Sequence, residues 1–222
     1  DYGEVIFDVT TFYAEMGGQC ADTGVIHNEN CKANVVNVLK APNQQHLHFV
    51  EVENGTISIG DVLTLEIDNE KRNKIIANHT ATHLLQAALK EVVGNHINQA
   101  GSYVDDNRLR FDFTHFEKIS NEQIRAVEQK VNSVIFNGID VEIKNMTKDE
   151  ALASGAMALF DEKYGDTVRV VSVGDFSKEL CGGCHVTNSA NIGLFKIEAE
   201  ESVGSGVRRI EAITGKSAYE AL

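Results

Sequence analysis

Two pairs of side chains in this sequence have the types and the spacing to hold a cation. His79 and His83 stand four apart in His79-Thr80-Ala81-Thr82-His83, which on a helix sets both rings on one face about a turn apart. The residues between them are small and leave room around the rings. Alone, such a pair is more often a surface or packed feature than a ligand set. Cys181 and His185 repeat the spacing in Glu179-Leu180-Cys181-Gly182-Gly183-Cys184-His185, around a Gly-Gly turn able to fold both side chains inward. Three imidazoles and a thiolate form a nitrogen and sulfur set suited to tetrahedral Zn2+. A tight turn carrying buried thiols is the plainer alternative, and two matched pairs in one domain favour the metal. Cys181-x-x-Cys184-His185 also has the pattern of a c-type haem attachment, which belongs to exported proteins, whereas this sequence itself shows no leader. A thioredoxin-like pair would need a helix directly after it, and none is evident past His185. Arg208 and Arg209, after Gly204-Ser205-Gly206, and Lys163 in Glu162-Lys163-Tyr164-Gly165-Asp166 are candidate phosphate contacts. Such residues are usually just solvated, and consecutive arginines on a strand face opposite ways, so at most one of the two serves a common site.

The elements that must position these groups fall into two parts. Up to Asp68 the sequence runs in short alternating stretches, at 5–9, 34–39, 46–50 and 62–67, separated by turn formers. Strands at that spacing predict a small barrel or sandwich over 1–68. From 69 the periodicity turns helical, with Ile75, Ile76, Leu84, Leu85, Ala88, Leu89 and Val92 at helical intervals and Gly94 placed to end the helix. A hairpin is expected around Asp105-Asp106-Asn107, its second strand carrying Leu109, Phe111 and Phe113 on one face. Ser120 with Gln123 and Thr147 with Glu150 fit the capping box and predict helices over 121–137 and 148–154. Strands return at 168–173, 194–199 and 207–213. Residues 69–222 thus predict an α+β domain with helices on a mainly antiparallel sheet.

Composition bounds the function. With 222 residues, 42% hydrophobic and 24% charged, the chain can bury a core and is neither disordered nor fibrous. No apolar run is long enough for a membrane helix. The net charge of −13 argues against gripping nucleic acid by bulk charge. Four cysteines are too few for a disulfide framework in a chain of this length, so a reducing, cytoplasmic setting is expected. The absence of a starting Met or leader suggests a piece of a longer protein.

Several motifs, taken in order, resemble one family. His79-Thr80-Ala81-Thr82-His83-Leu84-Leu85, Gln99-Ala100-Gly101-Ser102, Leu109-Arg110-Phe111-Asp112-Phe113, Gly155-Ala156-Met157-Ala158-Leu159-Phe160, the Cys-Gly-Gly-Cys-His run and Gly204-Ser205-Gly206-Val207-Arg208-Arg209-Ile210-Glu211-Ala212 resemble the editing region of alanyl-tRNA synthetases. Phe12-Tyr13-Ala14-Glu15-Met16-Gly17-Gly18-Gln19 resembles the glycine-rich loop of the β-barrel that precedes that region. Its Gly-Gly-Gln also matches the ester-hydrolysing loop of peptide release factors, a coincidence of three residues. The resemblance implies a barrel followed by a zinc-binding editing domain that hydrolyses tRNA(Ala) mischarged with serine or glycine. It carries the zinc ligands onto His79, His83, Cys181 and His185, and a catalytic pocket role onto Gln99, which otherwise reads as a capping or turn amide. The family usually has threonine where this chain has Cys184, which reads here as a passive small residue.

The partners so implied are the aminoacylated 3′ end of tRNA(Ala) and the remaining domains of a synthetase, with neither a membrane nor DNA among them. Whether zinc would act on the ester or only shape the pocket is left open by the ligand count. A free-standing trans-editing protein and a zinc-stabilised RNA-docking module without turnover are the alternatives.

Overall fold

Alternation of apolar and polar residues builds the first unit. The computed structural model describes residues 1–158 and 164–222, and the chain divides into two compact units, Asp1–Asn73 and Lys74–Leu222. In the first, β1 (Tyr2–Ile6), β2 (Gly24–His27), β3 (Lys32–Lys40), β4 (His46–Asn54) and β5 (Thr64–Ile67) form one antiparallel sheet ordered β1-β4-β3-β2-β5. Ala33, Val35 and Val38 of β3 all face the core because a bulge between Val35 and Asn37 inserts Val36 and resets the two-residue phase. Phe12, Ile26 and Val50 complete that core. The expected strand at 5–9 lies earlier, since Asp8 accepts from the Val9 N–H in a bend and ends the pairing. Strand β2 was not expected: four residues are too few to show alternation.

Gly17 and Gly18, at φ +60° and +83°, make the tight reversal between Met16 and Gln19, a geometry that favours glycine. Gln19 is 1% exposed, packed inward rather than held out on a loop tip, unlike a hydrolytic Gly-Gly-Gln. His48 is a satisfied core histidine. Its Nδ1 donates to the Val5 carbonyl at 3.1 Å and its Nε2 accepts from the Thr10 hydroxyl at 2.7 Å. Buried Asp22 is held by Arg72 Nε at 3.1 Å and by the Tyr13 N–H at 2.8 Å.

The second unit is α+β. Helix α1 (Asn69–Val92) enters it, and every residue from Ala77 to Leu89 is buried. β6 (Gln99–Val104), β7 (Leu109–Thr114), β11 (Phe195–Gly204) and β12 (Val207–Thr214) form an antiparallel sheet ordered β11-β12-β7-β6. The alternate residues Leu109, Phe111 and Phe113 of β7 are fully buried, as the hairpin pattern predicts. A second antiparallel sheet, β10-β9-β8, is made of β8 (Val141–Thr147), β9 (Thr167–Val173) and β10 (Ser177–Leu180). β8 carries little alternation and is mostly exposed, so it left no hydrophobic signal. Helices α2 (Asn121–Phe136) and α3 (Lys148–Ala153) begin on the two capping boxes, both reciprocal bonds being present in each, and α4 (Gly215–Glu220) closes the chain. α2 lies against β11, where the Asn132 side chain bonds both the N–H and the C=O of Phe195 at 2.9 Å.

Two bonds place α1. Asn78 Nδ2 donates to the Asp105 carbonyl at 2.9 Å and the Thr214 hydroxyl donates to Asn78 Oδ1 at 2.6 Å, joining the helix to the β6–β7 turn and the end of β12. No described helix is long and apolar enough to cross a membrane.

Candidate metal centre

The helical spacing of His79 and His83 and the Gly-Gly turn of the loop after β10 bring both pairs to one point. One donor atom from each of His79, His83, Cys181 and His185 lies within 4.8 Å of the other three. Cys181 Sγ is 3.5 Å from His79 Nε2 and 3.3 Å from His185 Nε2. Bonds of zinc to nitrogen and sulfur imply tetrahedral edges of about 3.3–3.8 Å, so these separations are those of a shared ligand shell. The ring of His185 lies 4.3 Å from that of His79 and 4.5 Å from that of His83. His83 Nδ1 is buried without a hydrogen-bond partner, a costly state that a metal bond would relieve.

Electrostatics prepares the donors unequally. Burial, with the Arg169 charge second, pushes His79 down to about 4. Burial and neighbouring imidazoles hold His83 and His185 well below the usual range, so all three rings are neutral near pH 7, as ligation requires. Burial pushes the Cys181 thiol up to about 12. Cys181 therefore keeps its proton unless a cation takes its place, and binding must release it.

The surrounding residues hold the loop to the helix. Arg169 on β9 donates from one Nη to the carbonyls of Cys181 and Gly183, both at 2.7 Å, and so fixes the curvature of the Gly-Gly turn. The Gly183 N–H reaches Cys181 Sγ at 3.3 Å. Fully buried Thr80 meets both His185 Nδ1 at 3.0 Å and the Val186 N–H at 3.1 Å. Glu179 Oε2 lies 3.4 Å from His83 Nε2, its Oε1 has no partner, and burial pushes this carboxyl up to about 8. Sequence reading assigned no role to Thr80, Arg169 or Glu179. The signal for Glu179 was its place two residues before Cys181, whereas Arg169 is one charge in an apolar strand and nothing local links it to the loop.

Cys184 is not among the four clustered donors. Gln99 opens β6 and is half-buried. Arg208 is bound through two bonds by Glu200, one of them 3.0 Å long, and Arg209 by Asp112 at 2.8 and 3.0 Å. Both guanidinium groups therefore already have carboxylate partners. Lys163 lies outside the described residues.

Comparison with known proteins bears on both units. Residues 1–71 match the family model of class II (A) tRNA synthetases, and 168–211 that of the threonyl and alanyl tRNA synthetase second additional domain. Over 218 residues the chain is 56% identical to the alanine–tRNA ligase of Bacillus cereus, and over 216 residues 57% identical to that of Geobacillus thermodenitrificans. The alanine–tRNA ligase of Halalkalibacterium halodurans is 56% identical over 216 residues. These alignments take in 97–98% of this chain but 25% of each relative, so the chain spans about a quarter of their length.

Proposed function

Over the quarter of their length that it spans, the chain belongs to the alanyl-tRNA synthetases, and from this we propose that it is their editing part, hydrolysing the ester of tRNA(Ala) wrongly charged with serine or glycine. The observation that carries the reading is the cluster of His79, His83, Cys181 and His185 in a chain of this descent. The need for a second site is physical. A pocket shaped for alanine cannot strongly exclude glycine, which is smaller, and one added hydroxyl offers little to reject serine by, so a separate hydrolytic step restores fidelity.

In this proposal the four clustered residues hold Zn2+, whose preference for nitrogen and sulfur fits the set. When bound, the ion would supply positive charge and Lewis-acid chemistry to the pocket. The remaining work belongs to the chain. Gln99 orients the aminoacyl group or the attacking water through its amide, and an activated ester needs little beyond such positioning. Either Arg208 or Arg209, together with Lys163, is the proposed contact to the tRNA end, the arginine exchanging its carboxylate for a phosphate as it engages. Cys181 must be reduced to ligate, which suits a cytoplasmic setting. The other domains of a synthetase would supply the main grip on tRNA(Ala).

One observation favours a second reading: four protein donors describe a closed, structural zinc site, whereas a catalytic one keeps a position free. In that case the unit docks RNA without turnover. A deacylation assay on Ser-tRNA(Ala), Gly-tRNA(Ala) and Ala-tRNA(Ala) separates the two. The editing reading expects release of serine and glycine with alanine spared, and an inert zinc-loaded chain overturns it.

A further inference from the structure

Thr80 sits beside His79 on α1 and has no solvent exposure. Its hydroxyl oxygen has three partners and only one proton to share among them. Ile76 O, at 2.9 Å, is a carbonyl that can only accept and makes the shortest of the three contacts, so the proton is assigned to it. The Val186 N–H, at 3.1 Å, can only donate. The third partner, His185 Nδ1 at 3.0 Å, must therefore donate as well. A neutral imidazole carries a single N–H, and placing it on Nδ1 leaves Nε2 bare, the nitrogen that faces Cys181 Sγ at 3.3 Å.

We infer that Thr80 is a positioning residue whose single hydroxyl proton, committed to Ile76, fixes His185 as the Nδ1–H tautomer and turns its Nε2 lone pair to the other three donors. The same oxygen receives the backbone N–H of Val186, so one side chain on α1 both locates the ligand loop and sets the protonation pattern of its histidine. The consequence for metal binding rests on the zinc reading above, while the tautomer does not. Without the hydroxyl, nothing on α1 accepts the Nδ1 proton, and the ring is free to take the wrong tautomer or to rotate. Losing an orienting partner of this kind costs about 10–100-fold in metal affinity.

The test uses the whole 222-residue chain. Nitrogen-15 NMR of the histidine rings in metal-free protein is expected to show His185 protonated at Nδ1 and bare at Nε2. Thr80→Val, close to threonine in shape but without the hydroxyl, is expected to lose that preference, to bind Zn2+ about 10–100-fold more weakly in a chelator competition, and to weaken the thiolate absorption of bound Co2+. Thr80→Ser, which keeps the hydroxyl, should restore all three readouts. A wild-type His185 protonated at Nε2 overturns the inference whether or not the valine variant folds, and so does a Thr80→Val chain that keeps both tautomer and affinity. If wild-type protein shows the Nδ1–H tautomer but takes up neither ion, the metal reading falls and the tautomer assignment stands.

Discussion

Cys181 and Cys184 are the same residue type three positions apart, and the fold gives them different surroundings. Only Cys181 lies among the three imidazoles. Cys181→Ala is expected to abolish zinc binding and hydrolysis of Ser-tRNA(Ala), while Cys184→Thr should keep both nearly intact; the check is initial deacylation rate with metal content measured on the same samples. Zinc loss in Cys184→Thr with retention in Cys181→Ala would reverse the assignment of the thiols. The titrating groups make a second prediction, for the metal-free protein. His79, His83 and His185 have folded-state pKa values below their unfolded values, so the unfolded chain binds more protons in that window. Their contribution is complete above about pH 6.5 and is lost as the pH falls, for His79 through about 4. Glu179 is raised to about 8, so the folded chain holds its proton longer and stability falls as the pH rises from the unfolded value toward 8. Metal-free stability should therefore peak near pH 7, losing about 1 kcal/mol on the way to pH 8 from Glu179 alone. Glu179→Gln should flatten this alkaline limb in denaturant titrations and leave the acid limb in place. An unchanged alkaline limb would mean that Glu179 is not the group responsible.

At the scale of elements, local signals read well where they are self-contained. The capping boxes at Ser120 and Thr147 name their helices because both partners lie within four residues of each other. Ser120→Ala should destabilise the second unit by about 1 kcal/mol, read from the denaturation midpoint, with metal affinity unchanged because α2 carries none of the four ligands. A large loss of zinc with this variant would mean that α2 governs the centre. The hairpin of β6 and β7 is legible for the same reason. Strands β2 and β8 are not: one is too short to alternate, and the other exposes most of its side chains and is defined by its pairing with β9. The strand expected at 194–199 runs on to Gly204, since a partner strand, rather than its own hydrophobicity, sustains the exposed second half.

At the scale of the whole molecule, charge bounds the encounter with tRNA. The chain carries −13, and the carboxylates of Glu200 and Asp112 already occupy Arg208 and Arg209. The isolated chain should bind tRNA weakly, with a log–log salt slope of about −2 to −3 if two or three phosphates are neutralised. A titration across salt concentrations checks this, and tight binding at physiological salt would reveal a basic face that the net charge conceals. What the sequence alone determined was chemistry and local form: the ligand types, their four-residue spacings, the caps, the β7 alternation and the family resemblance. Each depends on residues within a turn or two of one another. Only the tertiary structure decided that positions about a hundred residues apart share one point, and that Arg169 clamps the ligand loop. It also decided that Thr80, small and featureless in the sequence, binds that loop to α1, and that the paired arginines face carboxylates. Those outcomes depend on which strands and helices become neighbours, and burial then shifts the protons of groups whose sequence surroundings look ordinary.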